Sequence, residues 1–320
     1  MTDDPLQDMS WGEGDEAHEA RDKLLRRAVG TRYGKRVKMI TDDVDLKSNT
    51  QDKSKAKVHE DYLKLLQAPM MLGGCDDQDE IDIAFAMLYA QAPWCRDPLT
   101  AMWRASRTHV VDNPYYFCEP ILLHGAPGCG KTYLAQMIAQ QMNLPYVRLN
   151  MAQLTGVFEL TGHEMAWSGA NVGAPLALML NKRQANPVVI LDEVDKCGRP
   201  ATNNGGDPQN AILALTDPTG RDAWRCPFLQ TEVYMGAINY VMTANDIDKV
   251  PAPLRDRCRV FEIKRPFGDD LRQFIETSAA GLDAAIIDVL FDRAKGGESL
   301  RSINRAIKVA RDVKNIPFSH

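Results

Sequence analysis

Gly125, Gly128, Gly130, Lys131 and Thr132 stand in the order Gly-Ala-Pro-Gly-Cys-Gly-Lys-Thr, a spacing suited to holding phosphate. Glycines leave the backbone free to curl, so that successive N–H groups converge on phosphate oxygens that side chains would obstruct. Lys131 can reach β- and γ-phosphates, and the Thr132 hydroxyl can sit on Mg²⁺. Residues 121–123 form an apolar triplet before the loop. A helical run over 134–142 follows it and points its positive end at the same phosphates. A chance glycine turn ahead of Lys-Thr would need neither flank, so the stretch reads as a nucleotide-binding site.

A cradle binds but does not hydrolyse, and the second half of the chemistry lies at Val188-Val189-Ile190-Leu191-Asp192-Glu193. A buried strand there delivers two adjacent acids whose side chains point in different directions. Asp192 would hold Mg²⁺, directly or through its water, and Glu193 would orient and polarise the water that attacks the γ-phosphate. The other reading, two acids that merely end a strand at the surface, loses ground because the phosphate loop lies upstream. A further apolar strand leads into Thr243-Ala244-Asn245-Asp246. Asn245 could hydrogen-bond the same water or the γ-phosphate, or simply form a turn.

These groups must be carried by a parallel sheet. Strands are expected at 121–124, 146–149, 188–192, 238–243 and 260–263, with helices or loops between them. Their continuous apolar runs suit strands covered on both faces, with ligands at the carboxyl ends. The domain expectation is a charged arm over 1–57, a helical preface over 58–117, an α/β core over 118–265 and a helical lid over 266–320. In the preface, helices are expected at 58–66 and 79–90, the latter with Ile81, Phe85 and Leu88 on one stripe. The lid carries two stripes, Ile286, Ile287, Leu290, Phe291, Ala294 and then Leu300, Ile303, Ile307, Ala310, separated by the helix stop Gly296-Gly297.

The bulk properties are those of an ordinary globular chain: 320 residues, 44% hydrophobic, 25% charged, net charge -5. That charge gives no general reason to expect nucleic acid. The seven cysteines are scattered, with no C-x-x-C pair, and the six histidines offer no zinc spacing, so a reducing cytoplasm fits best. No run approaches a membrane span, and the acidic start is not a signal peptide. Seven acids fill residues 1–20, and eight basic residues against one acid fill 21–38. The basic block reads either as a contact for nucleic acid or an acidic partner, or as a solvated, self-neutralising face.

With these residues in view, the chain resembles the AAA+ ATPases, and among them the ATPase module of the Lon proteases. The likeness rests on GAPGCGKT at 125–132, VVILDEVDK at 188–196, GDPQNAILALTDP at 206–218 and TANDIDKVPAPLRDR at 243–257. A Gly-His stretch from Gly162-His163 to Trp167 and Gly169-Ala170 adds to it. The resemblance covers about residues 118–313, and the last two long motifs are far more specific than the phosphate loop. It implies a P-loop NTPase core with ATP and Mg²⁺. ATP would contact Gly125, Ala126, Pro127, Gly128, Cys129, Gly130, Lys131, Thr132 and Tyr133, and Thr132 and Asp192 would hold the metal. It further implies that Asn245 senses γ-phosphate and that Arg257 is an arginine finger offered to the neighbouring subunit, with Arg255 as the rival. Arg301 would be the second sensor and Trp167 a pore-loop aromatic that grips a polypeptide. A finger acting across a boundary implies a homo-oligomer, in this family six subunits.

Two departures stand out. The chain ends just after the lid, with no stretch for Lon's Ser-Lys proteolytic site, and the first hundred or so residues do not look like Lon's substrate-binding domain. Cys129 reads as a small filler whose modification would block the loop. The leading functional expectation is an ATP-hydrolysing ring that remodels or translocates a protein. The alternative is an ATP-switched loader acting on nucleic acid or a partner complex through the basic 21–38 segment. A scaffold that binds ATP without turnover fits poorly with an intact Asp192-Glu193 pair.

Overall fold

The computed structural model describes residues 32–33, 35–41, 43–46, 50–154, 156–197 and 206–314. The acidic block and Arg21, Lys23, Arg26 and Arg27 of the basic block lie outside the described residues.

The folded body begins before the boundary expected at residue 58. Short strands β1 (Arg32–Tyr33) and β2 (Arg36–Val37) pair antiparallel, and β2 pairs with β3 (Met70–Met71). Val37, Met39 and Ile40 are fully buried in the core. Helix α1 (Lys53–Gln67) starts where Asp52 accepts hydrogen bonds from the Ser54 and Lys55 amides, a cap hidden in the polar 42–57 stretch. Helix α2 (Gln78–Gln91) is capped by Asp77 and buries Ile81, Phe85 and Leu88 on the expected stripe. Helix α3 (Arg96–Asp112) is not marked by the sequence pattern. Its buried face of Leu99, Met102, Ser106 and Val110 is diluted by charges and by Pro98 in its first turn.

The core then alternates strand and helix: β4 (Ile121–His124), α4 (Lys131–Gln141), β5 (Tyr146–Asn150), α5 (Phe158–Thr161), α6 (Ala174–Lys182), β6 (Val188–Asp192) and α7 (Pro208–Thr216). A small hairpin of β7 (Trp224–Arg225) and β8 (Glu232–Val233) leads to β9 (Asn239–Ala244), α8 (Ala252–Asp256) and β10 (Arg259–Glu262). The parallel sheet runs β10-β4-β9-β6-β5. Its register pairs His124 with Ala244 and Asn150 with Asp192, which brings the carboxyl ends to one edge. Side chains alternate across it. Ile121, Leu123, Val188, Ile190 and Val241 join one buried cluster, with residues of α2, α3 and α4. Leu122, Val189, Leu191, Tyr240 and Met242 join the other, with residues of α1, α6 and α7. Strand β5 departs from the expectation of two covered faces: it is an edge strand, and its Tyr146 and Arg148 are exposed.

Past Pro266 the chain is helical, as its pattern indicates, but with three helices rather than two: α9 (Gly268–Ser278), α10 (Ala284–Lys295) and α11 (Leu300–Lys314). Leu271, Phe274 and Ile275 of α9 complete an apolar cluster with Leu290, Ala294, Leu300, Ile303 and Ile307. Among the described residues, no helix is long and apolar enough to cross a membrane.

Candidate active site

The loop between β4 and α4 is shaped by contacts that admit no side chain. Gly125 has φ 148°, and a Cβ there would lie 2.2 Å from the Ile263 carbonyl oxygen. Gly130 caps α4 with φ 104°, a left-handed conformation that turns the chain into the helix. Behind the loop, the Cys129 side chain is fully buried, so the thiol faces the core and not solvent. The indole N–H of Trp94, in the turn between α2 and α3, donates to the Cys129 carbonyl at 3.1 Å. The same ring meets Phe274 of the lid edge-on, with centroids 5.2 Å apart. Trp94 therefore fastens the loop to the preface and touches the lid, a role no sequence motif announced.

Lys131 is 6% exposed. Its ammonium donates to the carbonyls of Gly125 at 2.7 Å and Ala126 at 3.1 Å, and to Asn245 Oδ1 at 3.0 Å. Thr132 Oγ1 donates to Asp192 Oδ1 at 2.9 Å. Thr243, on β9 beside β6, ties the two strand-end acids together. Its hydroxyl donates to Asp192 Oδ1 and accepts from the Glu193 amide at 3.1 Å. Glu193 sits in the left-handed region at φ 62°, a conformation that swings its carboxylate off the strand direction. That carboxylate pairs with Lys196 Nζ at 2.7 Å, and this hydrogen bond is the chief cause that raises the Lys196 pKa. Arg148 Nε of β5 stands 3.3 Å from Asp192 Oδ2. Thr243, Lys196 and Arg148 were not singled out from sequence. For Arg148 a signal did exist in the alternation of Tyr146, Arg148 and Asn150 on one face.

These groups surround a cleft of about 530 Å³. Pro127, Gly128, Gly130, Lys131, Thr132 and Tyr133 line it from the loop, Asp192, Glu193 and Asn245 from the strand ends, and Arg301 from the lid. Lys131, Arg148, Lys196 and Arg301 supply four cations against the two acids Asp192 and Glu193, a balance suited to a polyanion. Thr132 and Asp192 together offer a hydroxyl and a carboxylate oxygen as hard donors, which fits Mg²⁺. The Lys131 ammonium stands among the loop carbonyls where phosphate would enter. The residues present fit both a nucleotide and its metal.

Of the expected ATP contacts, Gly125, Ala126 and Cys129 do not line the cleft, and Arg257, Arg255 and Trp167 lie away from it. Arg257 is absent from the cleft lining and pairs with Asp217 at 3.4 Å beside a shallow surface pocket of about 400 Å³. The Gly220 amide, chiefly, then the Thr219 amide and Arg257, lower the Asp217 pKa. Arg255 is half-buried, and its Nε is enclosed without a hydrogen-bond partner among the described residues. Trp167 is 51% exposed, on the segment between α5 and α6.

Comparison with known proteins bears on the same segment. The family model described as "ATPase family associated with various cellular activities (AAA)" matches residues 121–266. The mitochondrial Lon protease homologue of Caenorhabditis briggsae is 37% identical over 143 residues, 45% of this chain and 15% of that protein. The Lon protease of Helicobacter pylori is 36% identical over 143 residues, 45% of this chain and 17% of that protein. Lon protease homologue 1 of Arabidopsis thaliana mitochondria is 34% identical over 165 residues, 50% of this chain and 17% of that protein. The chain thus spans only a minor part of the length of the relatives it matches.

Proposed function

We propose that residues 121–266, which match the AAA family model, are an ATPase domain of that kind, and that the chain is a subunit of a ring-shaped motor that hydrolyses ATP to remodel or translocate a protein. The observation that carries this reading is the convergence of Lys131, Thr132, Asp192, Glu193, Asn245 and Arg301 on one cleft. Loop amides and Lys131 hold the β- and γ-phosphates, while Arg301 closes the site from the lid. Thr132 and Asp192 would hold Mg²⁺, which would neutralise charge on the phosphates. Glu193 orients the attacking water, and Asn245, bonded to Lys131, reports the presence of the γ-phosphate. For Glu193 to face that water, its carboxylate must leave Lys196.

Arg257 completes a neighbour's site. It lines a surface pocket and pairs with Asp217, whereas the Nε of Arg255, a residue equally half-buried, is enclosed. The surface pocket and the Asp217 pair support Arg257 as the finger, and the ring of six rests on the resemblance. Trp167 grips an extended polypeptide, as its exposure on a glycine-flanked segment allows. All seven cysteines are free thiols, which suits a reducing compartment such as the cytoplasm. Of the described residues in the basic block, Lys35 pairs with Asp76 and Lys38 is buried, while Arg36 is exposed.

Mixing subunits tests the ring. Arg257→Ala is expected to lower turnover by about 10³–10⁵-fold, and Lys131→Ala to lower it by about 10²–10³-fold through loss of nucleotide binding. Mixed oligomers should regain turnover, because a Lys131-intact site can receive Arg257 from its neighbour. No recovery at any mixing ratio would contradict an active site shared between subunits.

A further inference from the structure

The segment that bears Trp167 closes at its base and is held at its tip from elsewhere in the chain. Gly162 and Val172 form an antiparallel bridge, and the His163 ring stacks on Phe158 at 4.0 Å. At the tip, the Trp167 amide donates to Glu164 O at 3.1 Å and the Ala170 amide to Trp167 O at 3.2 Å. Those bonds curl the tip upon itself, and Met165 and Val172 bury their side chains in the core and root the loop there. Lys55 of α1 adds a charged tie to the backbone at the tip itself: its ammonium donates to Trp167 O at 2.7 Å and to Met165 O at 3.2 Å.

Helix α1 is a firm platform for that reach. Lys55 lies one turn before His59, on the same face. His59 Nε2 donates to Leu229 O at 3.2 Å, and Leu63 and Leu66 are fully buried. The rings of His59 and Tyr62 each meet Phe228 with centroids 6.2 Å apart. Bonds from an ammonium to carbonyls are stronger than neutral ones, so Lys55 aims the tip from a helix fastened to the core.

We propose that Lys55 is a positioning residue for substrate grip, joining the N-terminal helix to the Trp167 loop so that the indole meets a polypeptide in a fixed orientation. The proposal rests on the reading of Trp167 given above. It assigns the N-terminal segment work in substrate handling, and it places Lys55 within the stretch whose composition reads as a charged arm.

Lys55→Met keeps the aliphatic stem and removes the donors, while Lys55→Arg keeps donors. In the full chain, Lys55→Met should speed amide hydrogen exchange over residues 163–170 about tenfold while residues 121–142 exchange as before. With casein as an unstructured polypeptide probe, the casein concentration for half-maximal stimulation of ATP turnover should rise about tenfold. Turnover at saturating casein should stay within about twofold, and Lys55→Arg should restore both readings. Unchanged exchange overturns the proposal, and so does faster exchange with an unmoved half-point. Trp167→Ala, measured alongside, separates the two ideas. If it responds to casein like the wild type, the substrate reading of the loop fails and takes the grip role of Lys55 with it. If it loses the response while Lys55→Met retains it, the Lys55 proposal fails alone.

Discussion

The phosphate loop and the Trp167 loop both lean on glycine, and both serve one sheet, but they are held in different ways. The first is enclosed: β4 leads into it, α4 leaves it, the Ile263 carbonyl presses on Gly125, and Trp94 fixes the Cys129 carbonyl from behind. The second is rooted in the core by Met165 and Val172 but leaves Trp167 half exposed, with its tip also tied to the body by a lysine 112 residues earlier in the chain. A loop that must match a phosphate group is constrained along its own sequence. On the proposed reading, the loop that reaches a variable polypeptide takes part of its constraint from outside, from Lys55, a residue no local motif contains.

Substitutions can break or sharpen this contrast. Lys131→Ala strikes the enclosed loop at its charge and should reduce ATP turnover by about 10²–10³-fold, with nucleotide binding lost in a direct titration. Gly125→Ala strikes it sterically. A methyl 2.2 Å from a backbone oxygen, at φ 148°, cannot be absorbed by a flexible side chain. It should cost about 3 kcal/mol or more in denaturant unfolding, with binding weakened as well. Trp167→Ala should abolish stimulation of turnover by casein without the melting change expected of a core tryptophan; a collapse in melting temperature would instead make the ring a packing residue. Gly169→Ala is the mildest. Gly169 also has positive φ, 72°, but a Cβ there meets nothing within 4 Å. The cost should be backbone strain alone, about 1 kcal/mol, or roughly 2 °C in melting temperature. If Gly169→Ala proved as damaging as Gly125→Ala, the distinction between the two loops would fall.

The same contrast explains what could be read without coordinates. Strands β4, β6 and β9 are legible because both faces are buried, so every position from Val188 to Asp192 is constrained to be apolar until the acid. Their order in the sheet follows no residue signal and came only with the structure. Asp192 and Lys131 were legible because phosphate chemistry dictates them. Thr243, which bridges Asp192 to the Glu193 amide, was not, since a threonine ending an apolar strand looks like any other. Trp94 and Lys55 act through contacts 35 and 112 residues away along the chain, beyond the range of any periodicity; for Arg148 the alternation along β5 marks its face but not its partner Asp192, 44 residues on. The start of α1 was obscured by charged residues, and only the Asp52 cap marks it.

The claim on which everything else depends is that Glu193 serves the attacking water and not the binding of nucleotide. Glu193→Gln keeps the shape of the side chain and removes its charge. ATP binding with Mg²⁺ should stay within about threefold of wild type, while single-turnover hydrolysis of the bound nucleotide slows by about 10²–10⁴-fold. Hydrolysis at the wild-type rate, or loss of binding in step with hydrolysis, would contradict it.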